Sequence, residues 1–258
     1  MKINLRYHTF LIATLVNLFC CSTAIGQRSS EIENLPRLID RILELRKDAD
    51  VNAYTFTQET IRYDSLANPR DTVIWYEAVQ YPDKFRIDFG SLDQGNMVLF
   101  KEDQAYRYRN FQLDTVYYAP REFLFMESGF AGYGSTTEIL KRFEKLGFDP
   151  LKFYVREKEN VFVIGAEPGD YTSKQFWVDR THFYITRSIE VLNNGRKLDV
   201  HYSNFKNLNG FWIETDVTIY LNGKILQFEK YLNVETYVNF NPTFFDHSEP
   251  FEWHWFTE

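Results

Sequence analysis

The residues best equipped for chemistry do not assemble into a reaction. Beyond residue 26 the histidines are His182, His201, His247 and His254, and the one local gathering of metal-ligand types is Asp246-His247, Glu249, Glu252 and His254. Its spacing follows no ligand pattern, and it reads as a solvated acidic end with no metal. Gly132-Tyr133-Gly134-Ser135 lacks the second glycine of a nucleophile elbow and the Gly-Lys-Ser/Thr of a phosphate loop. A capped helix start at Ser135 offers a generic anion site and nothing more specific. Carboxylate pairs for glycoside hydrolysis are not recognisable from sequence separation. No catalytic residue, cofactor or metal is therefore expected, and the chain reads as non-enzymatic.

Cys20 and Cys21, the two cysteines, fall in a segment that resembles an export signal. Lys2 and Arg6 supply a positive start, Phe10 to Cys20 an apolar stretch, and Ala24-Ile25-Gly26 small residues for cleavage before Gln27. The expected organisation is a signal peptide over 1–26 and one domain over 27–258. Removal of residues 1–26 leaves a chain without disulfides or thiolate chemistry. Lipidation of Cys21 is the competing reading. It requires a small residue before the cysteine, where Cys20 stands, or Phe19 if Cys20 is the target. The formal charge is −7, with lysine and arginine dispersed, which argues against nucleic acid and against docking on anionic lipid.

The elements that would position a site are mostly strands. Aromatic residues make up 18% of the chain, with 24 Phe and 17 Tyr, which favours β structure. Asn194-Gly195, Asn209-Gly210 and Asn222-Gly223 punctuate residues 161–236 as an unbroken meander, because Asn-Gly suits the positive φ of a tight hairpin turn. Lys84 to Phe89 alternates cleanly. Residues 30–49 carry a helical stripe of Leu35, Leu38, Ile39, Ile42 and Leu43, with Ser30 and Glu33 at capping-box spacing. Pro120 can open a short helix bearing Phe123, Leu124, Phe125 and Met126, with Gly129, Gly132 and Gly134 after it as a hinge. Ser135 with Glu138 starts another helix, and Gly147 ends it. The expected class is α+β, one antiparallel sheet of about ten or eleven strands curved around helices.

With these elements placed, Phe56-Thr57-Gln58, Tyr81-Pro82-Asp83-Lys84-Phe85-Arg86-Ile87-Asp88 and Lys101-Glu102-Asp103-Gln104-Ala105-Tyr106-Arg107-Tyr108 resemble the LolA/LolB family of outer-membrane lipoprotein carriers. The resemblance implies an incomplete, half-open antiparallel barrel around helices, whose apolar cavity takes lipoprotein or lipid acyl chains in the periplasm and moves them toward the outer membrane. Three departures stand out: Tyr81 where many carriers have Arg, Asp103-Gln104 where the turn is usually Asp-Gly, and extra length in the meander and tail. A non-enzymatic envelope module that senses lipid or docks a partner with the same cavity is the alternative.

One strand parity would line that cavity with Phe56, Phe85, Ile87, Phe89, Tyr106, Tyr108, Phe162, Ile164 and Phe176, Arg107 lying on the opposite face. Phe123, Leu124 and Met126 would close it as a lid. The expected partners are lipid or lipoprotein acyl chains and envelope proteins, with no nucleic acid, and the protein is expected to be a monomer.

Overall fold

The computed structural model describes residues 32–47, 51–192, 194–208, 210–236 and 239–252. The expected signal segment over residues 1–26, both cysteines, Ser30, Asn209 and His254 lie outside these residues. The first half runs α1 (Leu35–Arg46), β1 (Ala53–Tyr63), β2 (Pro69–Gln80), β3 (Lys84–Phe89), β4 (Met97–Lys101), β5 (Gln104–Arg109) and β6 (Gln112–Tyr118). Two helices follow, α2 (Glu122–Glu127) and α3 (Thr136–Lys145). The second half is β7 (Phe153–Arg156), β8 (Val161–Ile164), β9 (Gln175–Asp179), β10 (Ile185–Val191), β11 (Lys197–Ser203), β12 (Lys206–Leu208), β13 (Phe211–Ile213), β14 (Asp216–Leu221) and β15 (Lys224–Thr236).

Thirteen strands form one open sheet in the order β6-β5-β4-β3-β2-β1-β15-β14-β11-β10-β9-β8-β7, and β12 and β13 make a separate ribbon. Long β15 pairs with β1 from Tyr54↔Thr236 to Arg62↔Gln227 and so splices the late hairpins onto the early ones. The sheet is antiparallel and unclosed, so the expected class holds while the count of ten or eleven strands is too low. Strands β6 and β7 were not foreseen. The run from Phe176 to Ile189 is two strands, because Phe183 sits at φ +63° in the turn between β9 and β10. The meander is not unbroken either: β13 leaves the main sheet to pair with β12.

Local chemistry accounts for the helix ends. Asn34, not Ser30, caps α1, its side chain accepting from the Arg37 amide at 3.1 Å, and Pro36 stands within the first turn. Ser135 caps α3 by accepting from the Glu138 amide at 3.3 Å. Gly147, at φ +84°, ends that helix in the left-handed conformation a glycine adopts most easily. Asn222 and Gly223 take φ values of +51° and +77°, as the tight β14–β15 turn requires. Glu102 and Asp103 do the same between β4 and β5, at +53° and +62°. Asp103 then ties that hairpin to α3, accepting from Arg142 and from Lys145.

Each face of the sheet has its own cover. On the concave side, Leu38, Ile39 and Ile42 of α1 and Ile139 and Phe143 of α3 pack on Phe162, Ile164, Phe176 and Val178. On the convex side, Phe244 and Phe245 of the C-terminal segment pack on Ala78, Met97, Leu99 and Tyr108. Under that segment lies a buried Arg86–Asp88 pair at 2.8 Å, with the Arg86 guanidinium 4.6 Å above the Phe244 ring. The expected solvated acidic end is thus, over residues 240–251, a docked cover for β3–β5.

Candidate functional site

The helices fill only part of the concave face. Over β7–β10, Phe125, Phe130, Phe143, Phe148 and Phe176 meet ring to ring, with centroids 4.6–6.0 Å apart for Phe148–Phe176, Phe125–Phe143 and Phe130–Phe143. Over β1–β5, β11, β14 and β15 the same face holds a hollow of about 480 Å³. That volume is in the range of small-ligand sites. Its apolar walls include Trp75, Phe85, Ile87, Phe89, Val98 and Phe100. A second cavity, about 320 Å³, lies beside it toward α1 and the β9–β10 turn. The two share Phe123, Tyr202 and Glu214 as lining residues.

Helix α2 sits between the packed and the hollow regions. Its Leu124 packs with the sheet residues Phe56, Val79 and Phe85, whereas Phe125 and Met126 pack with the helical core. Phe123 lines both cavities, its ring centroid 5.8 Å from that of Phe85 in an edge-to-face contact. Gly129, just after α2, stands at φ +60° beside the Arg46 side chain, where a Cβ would lie 2.4 Å from it. The glycine thus lets Arg46 reach the Glu127 carbonyl.

The sequence-derived residues divide into three groups. Phe85, Ile87, Phe89 and Phe123 line the larger hollow, and Met126 lines the smaller cavity. Phe56 and Leu124 lie in the packed core beneath the hollow, and Phe162, Ile164 and Phe176 lie in the helix-covered core. Tyr106 and Tyr108 face the other way, which corrects the expectation of one inward parity. They stand opposite Leu99 and Met97, and the C-terminal segment covers them: Tyr106 stacks on His247 at 4.3 Å, and Tyr108 donates to the His247 carbonyl at 2.5 Å. The register instead turns Ala105 and Arg107 inward, and exposed Arg107 stands at the mouth of the hollow.

What sequence patterning missed is the polar floor. Glu77, Glu214 and Glu229 are buried and line the larger hollow with Gln58, Arg121 and Tyr231. A carboxylate carried into an apolar interior prefers its neutral form, so burial drives these groups upward. Burial, and then the Glu229 charge, push Glu77 well above the usual carboxyl range. Burial lifts Glu229 to about 7 against hydrogen bonding from Gln227. Glu214 is raised well above its ordinary value by burial and then by Glu127. Arg121, lowered to about 10 by burial, stays charged at neutral pH and lies 3.5 Å over the Phe100 ring.

Glu127 belongs to the smaller cavity. Its Oε1 accepts from the Tyr54 hydroxyl at 2.6 Å and from the Tyr81 hydroxyl at 2.7 Å. Its Oε2, and the Oε1 of Glu77, are buried without a hydrogen-bond partner among the described residues. Each cavity therefore presents one unsatisfied carboxyl oxygen. Aromatic rings frame the smaller opening, with Tyr184 stacked on Phe205 at 3.7 Å and His182 against Trp212 at 4.5 Å. Among the described residues no three His, Cys, Asp or Glu side chains are placed to hold a metal ion. The arrangement offers apolar burial over a hydrogen-bonding floor.

No protein-family model matches the chain, and no curated protein matches it. Solved structures do. One is a Vibrio parahaemolyticus domain described as an outer membrane lipoprotein-sorting protein, with a TM-score of 0.54, 13% identity, 81% of this chain and 96% of that chain covered. A LolA superfamily protein from Nitrosomonas europaea aligns at 0.52, with 12% identity and coverage of 81% and 98%. A DUF1329 family protein from Desulfovibrio piger aligns at 0.52, with 14% identity and coverage of 82% and 96%. The chain shares the fold of these solved structures, one of them a LolA superfamily protein, as its sequence motifs led us to expect.

Proposed function

We propose that the protein is a non-enzymatic periplasmic carrier, exported by a cleavable signal over residues 1–26. It holds the acyl chains of lipids or lipoproteins in the concave hollow and moves them toward the outer membrane. The carrying observation is the hollow of about 480 Å³ walled by Phe85, Ile87, Phe89 and Phe123. The LolA-like fold supports the same reading. Each methylene moved from water into such walls gains roughly 0.8 kcal/mol, so part of one acyl chain suffices for appreciable binding. Phe123 and Met126, on the short helix between the cavities, act as an adjustable closure whose flexible and aromatic groups accept chains of different shape.

Mature protein purified from the envelope and titrated with a fluorescent long-chain alcohol is expected to bind it saturably at one site, and native mass spectrometry is expected to find co-purified lipid. Absence of both overturns the carrier reading. It would leave an interaction module, which the exposed Leu113, Val116, Tyr117 and Tyr118 of edge strand β6 favour. Intact mass of the envelope form checks export: a chain beginning at Gln27 is expected, and a diacylglyceryl adduct on Cys20 or Cys21 contradicts it.

A further inference from the structure

The floor of the larger hollow carries more acid than a cavity built only for hydrocarbon requires. Two of its carboxylates share one cation: Lys174 bonds Glu122 at 2.6 Å and lies 3.5 Å from Glu190. Glu77, Glu214 and Glu229 remain. Arg121 is the cation whose charge reaches Glu77 and Glu229, and the charges acting on Glu214 are those of Glu127 and Glu229. Arg107, at the mouth, is exposed to solvent. Three buried carboxyls thus face one half-buried guanidinium.

A second observation is independent of that count. Glu77 is 2% exposed, lines the hollow, and leaves Oε1 without a partner among the described residues. A buried carboxyl oxygen with a free lone pair costs stability unless something donates to it. The adjoining walls, Trp75 and Tyr231, present aromatic rings, whose faces attract a cation.

We propose that the preferred occupant of the hollow is a net-cationic amphiphile, an apolar chain ending in a primary amine, with its ammonium donating to Glu77 and Glu229. This inference rests on the carrier reading and specifies its cargo. An ammonium has three donors and no acceptor, so one donor answers Glu77 Oε1 and others are left for Glu229, whose charge acts on Glu77. The ammonium charge favours the ionised form of the carboxyl it meets, so binding releases a proton from Glu77 or Glu229. A free fatty acid brings a further carboxylate into the same space, and a phospholipid brings a phosphate. Neither group has a hydrogen to donate to Glu77 Oε1, even where its chain fits the walls.

The test compares an alkylamine, an alcohol and a fatty acid of one chain length, each below its micelle concentration, binding to the full mature protein near neutral pH. The amine is expected to bind about tenfold more tightly than the alcohol, a difference typical of one charge-assisted hydrogen bond, with the fatty acid weakest. Glu77→Gln and, separately, Glu229→Gln are expected to reduce the amine-to-alcohol ratio severalfold. Glu235→Gln, at an exposed position on β15, leaves the ratio unchanged. Equal binding of amine and alcohol, or a ratio untouched in both glutamate variants, overturns the inference while the carrier reading stands. Failure of all three amphiphiles to bind overturns both.

Discussion

The concave face of this sheet has two halves that differ in what covers them. Over β7–β10, two amphipathic helices lay their stripes on Phe162, Ile164 and Phe176, and the space closes to a packed aromatic core. Over β1–β5 and β15, cover comes from α2, the β12–β13 ribbon and little else, and a hollow remains with glutamates in its floor. Strand residues of similar type thus do different work. A phenylalanine under a helix fastens the fold, whereas one beside the hollow offers surface to a guest. Which role a strand residue takes depends on the supply of helical cover, not on the strand's own pattern.

The largest effects should come from the covered half. Phe143→Ala leaves a void between α3 and the sheet and is expected to cost about 3–5 kcal/mol in denaturant unfolding. Phe89→Ala, beside the hollow, should cost less than half as much, because Phe89 is already only partly buried. Equal losses would erase the distinction between the halves.

Next in size is a pH effect confined to the hollow. Glu229, ordinarily near 4.5, stands at about 7 in the folded chain. The folded state therefore binds the proton more tightly, and its stabilising contribution is complete below about pH 4.5 and lost as pH rises through about 7. Stability should fall across that window by up to roughly 3 kcal/mol, and Glu229→Gln should flatten the curve. A wild-type curve already flat from pH 4.5 to 7, or one left equally steep by the substitution, would show that Glu229 is not held in its protonated form.

Smaller still, Phe123→Asp is expected to weaken binding of a fluorescent alcohol by about tenfold or more, since it sets a charge between the two cavities. Phe162→Leu, deep in the covered half, should leave that affinity within about twofold. The smallest expected change is Asp103→Ala, which frees Arg142 and Lys145 from the β4–β5 hairpin and should cost about 1 kcal/mol with binding unaffected. A loss of binding there would mean that α3 helps to shape the hollow.

Much of the fold was legible because local rules and tertiary packing agree. Ser135 with Glu138, Gly147, Asn222-Gly223 and the alternation from Lys84 to Phe89 each specify their backbone without outside help. Tyr106 and Tyr108 were misplaced because alternation assigns two faces without saying which is concave. Their partner is a C-terminal segment more than a hundred residues away. The floor of the hollow escaped for a related reason. A glutamate in a strand ordinarily marks the solvent side, so alternation alone does not place Glu77 or Glu214 in a cavity. The usable signal was a lone acid between apolar neighbours, Tyr76-Glu77-Ala78, on the same parity as Trp75.

The most direct test asks where a bound chain lies. Trp75 lines the larger hollow, whereas Trp177 lies on the convex face among Val161, Val163 and Ala166, between Arg156 and Arg187 at 4.7 and 4.5 Å. Two variants, each retaining one of these tryptophans with the others replaced by phenylalanine, can be titrated with an amphiphile brominated along its chain. The bromines should quench Trp75 saturably and leave Trp177 at full intensity. Equal quenching of both, or of Trp177 alone, would place the chain outside the hollow and contradict the account.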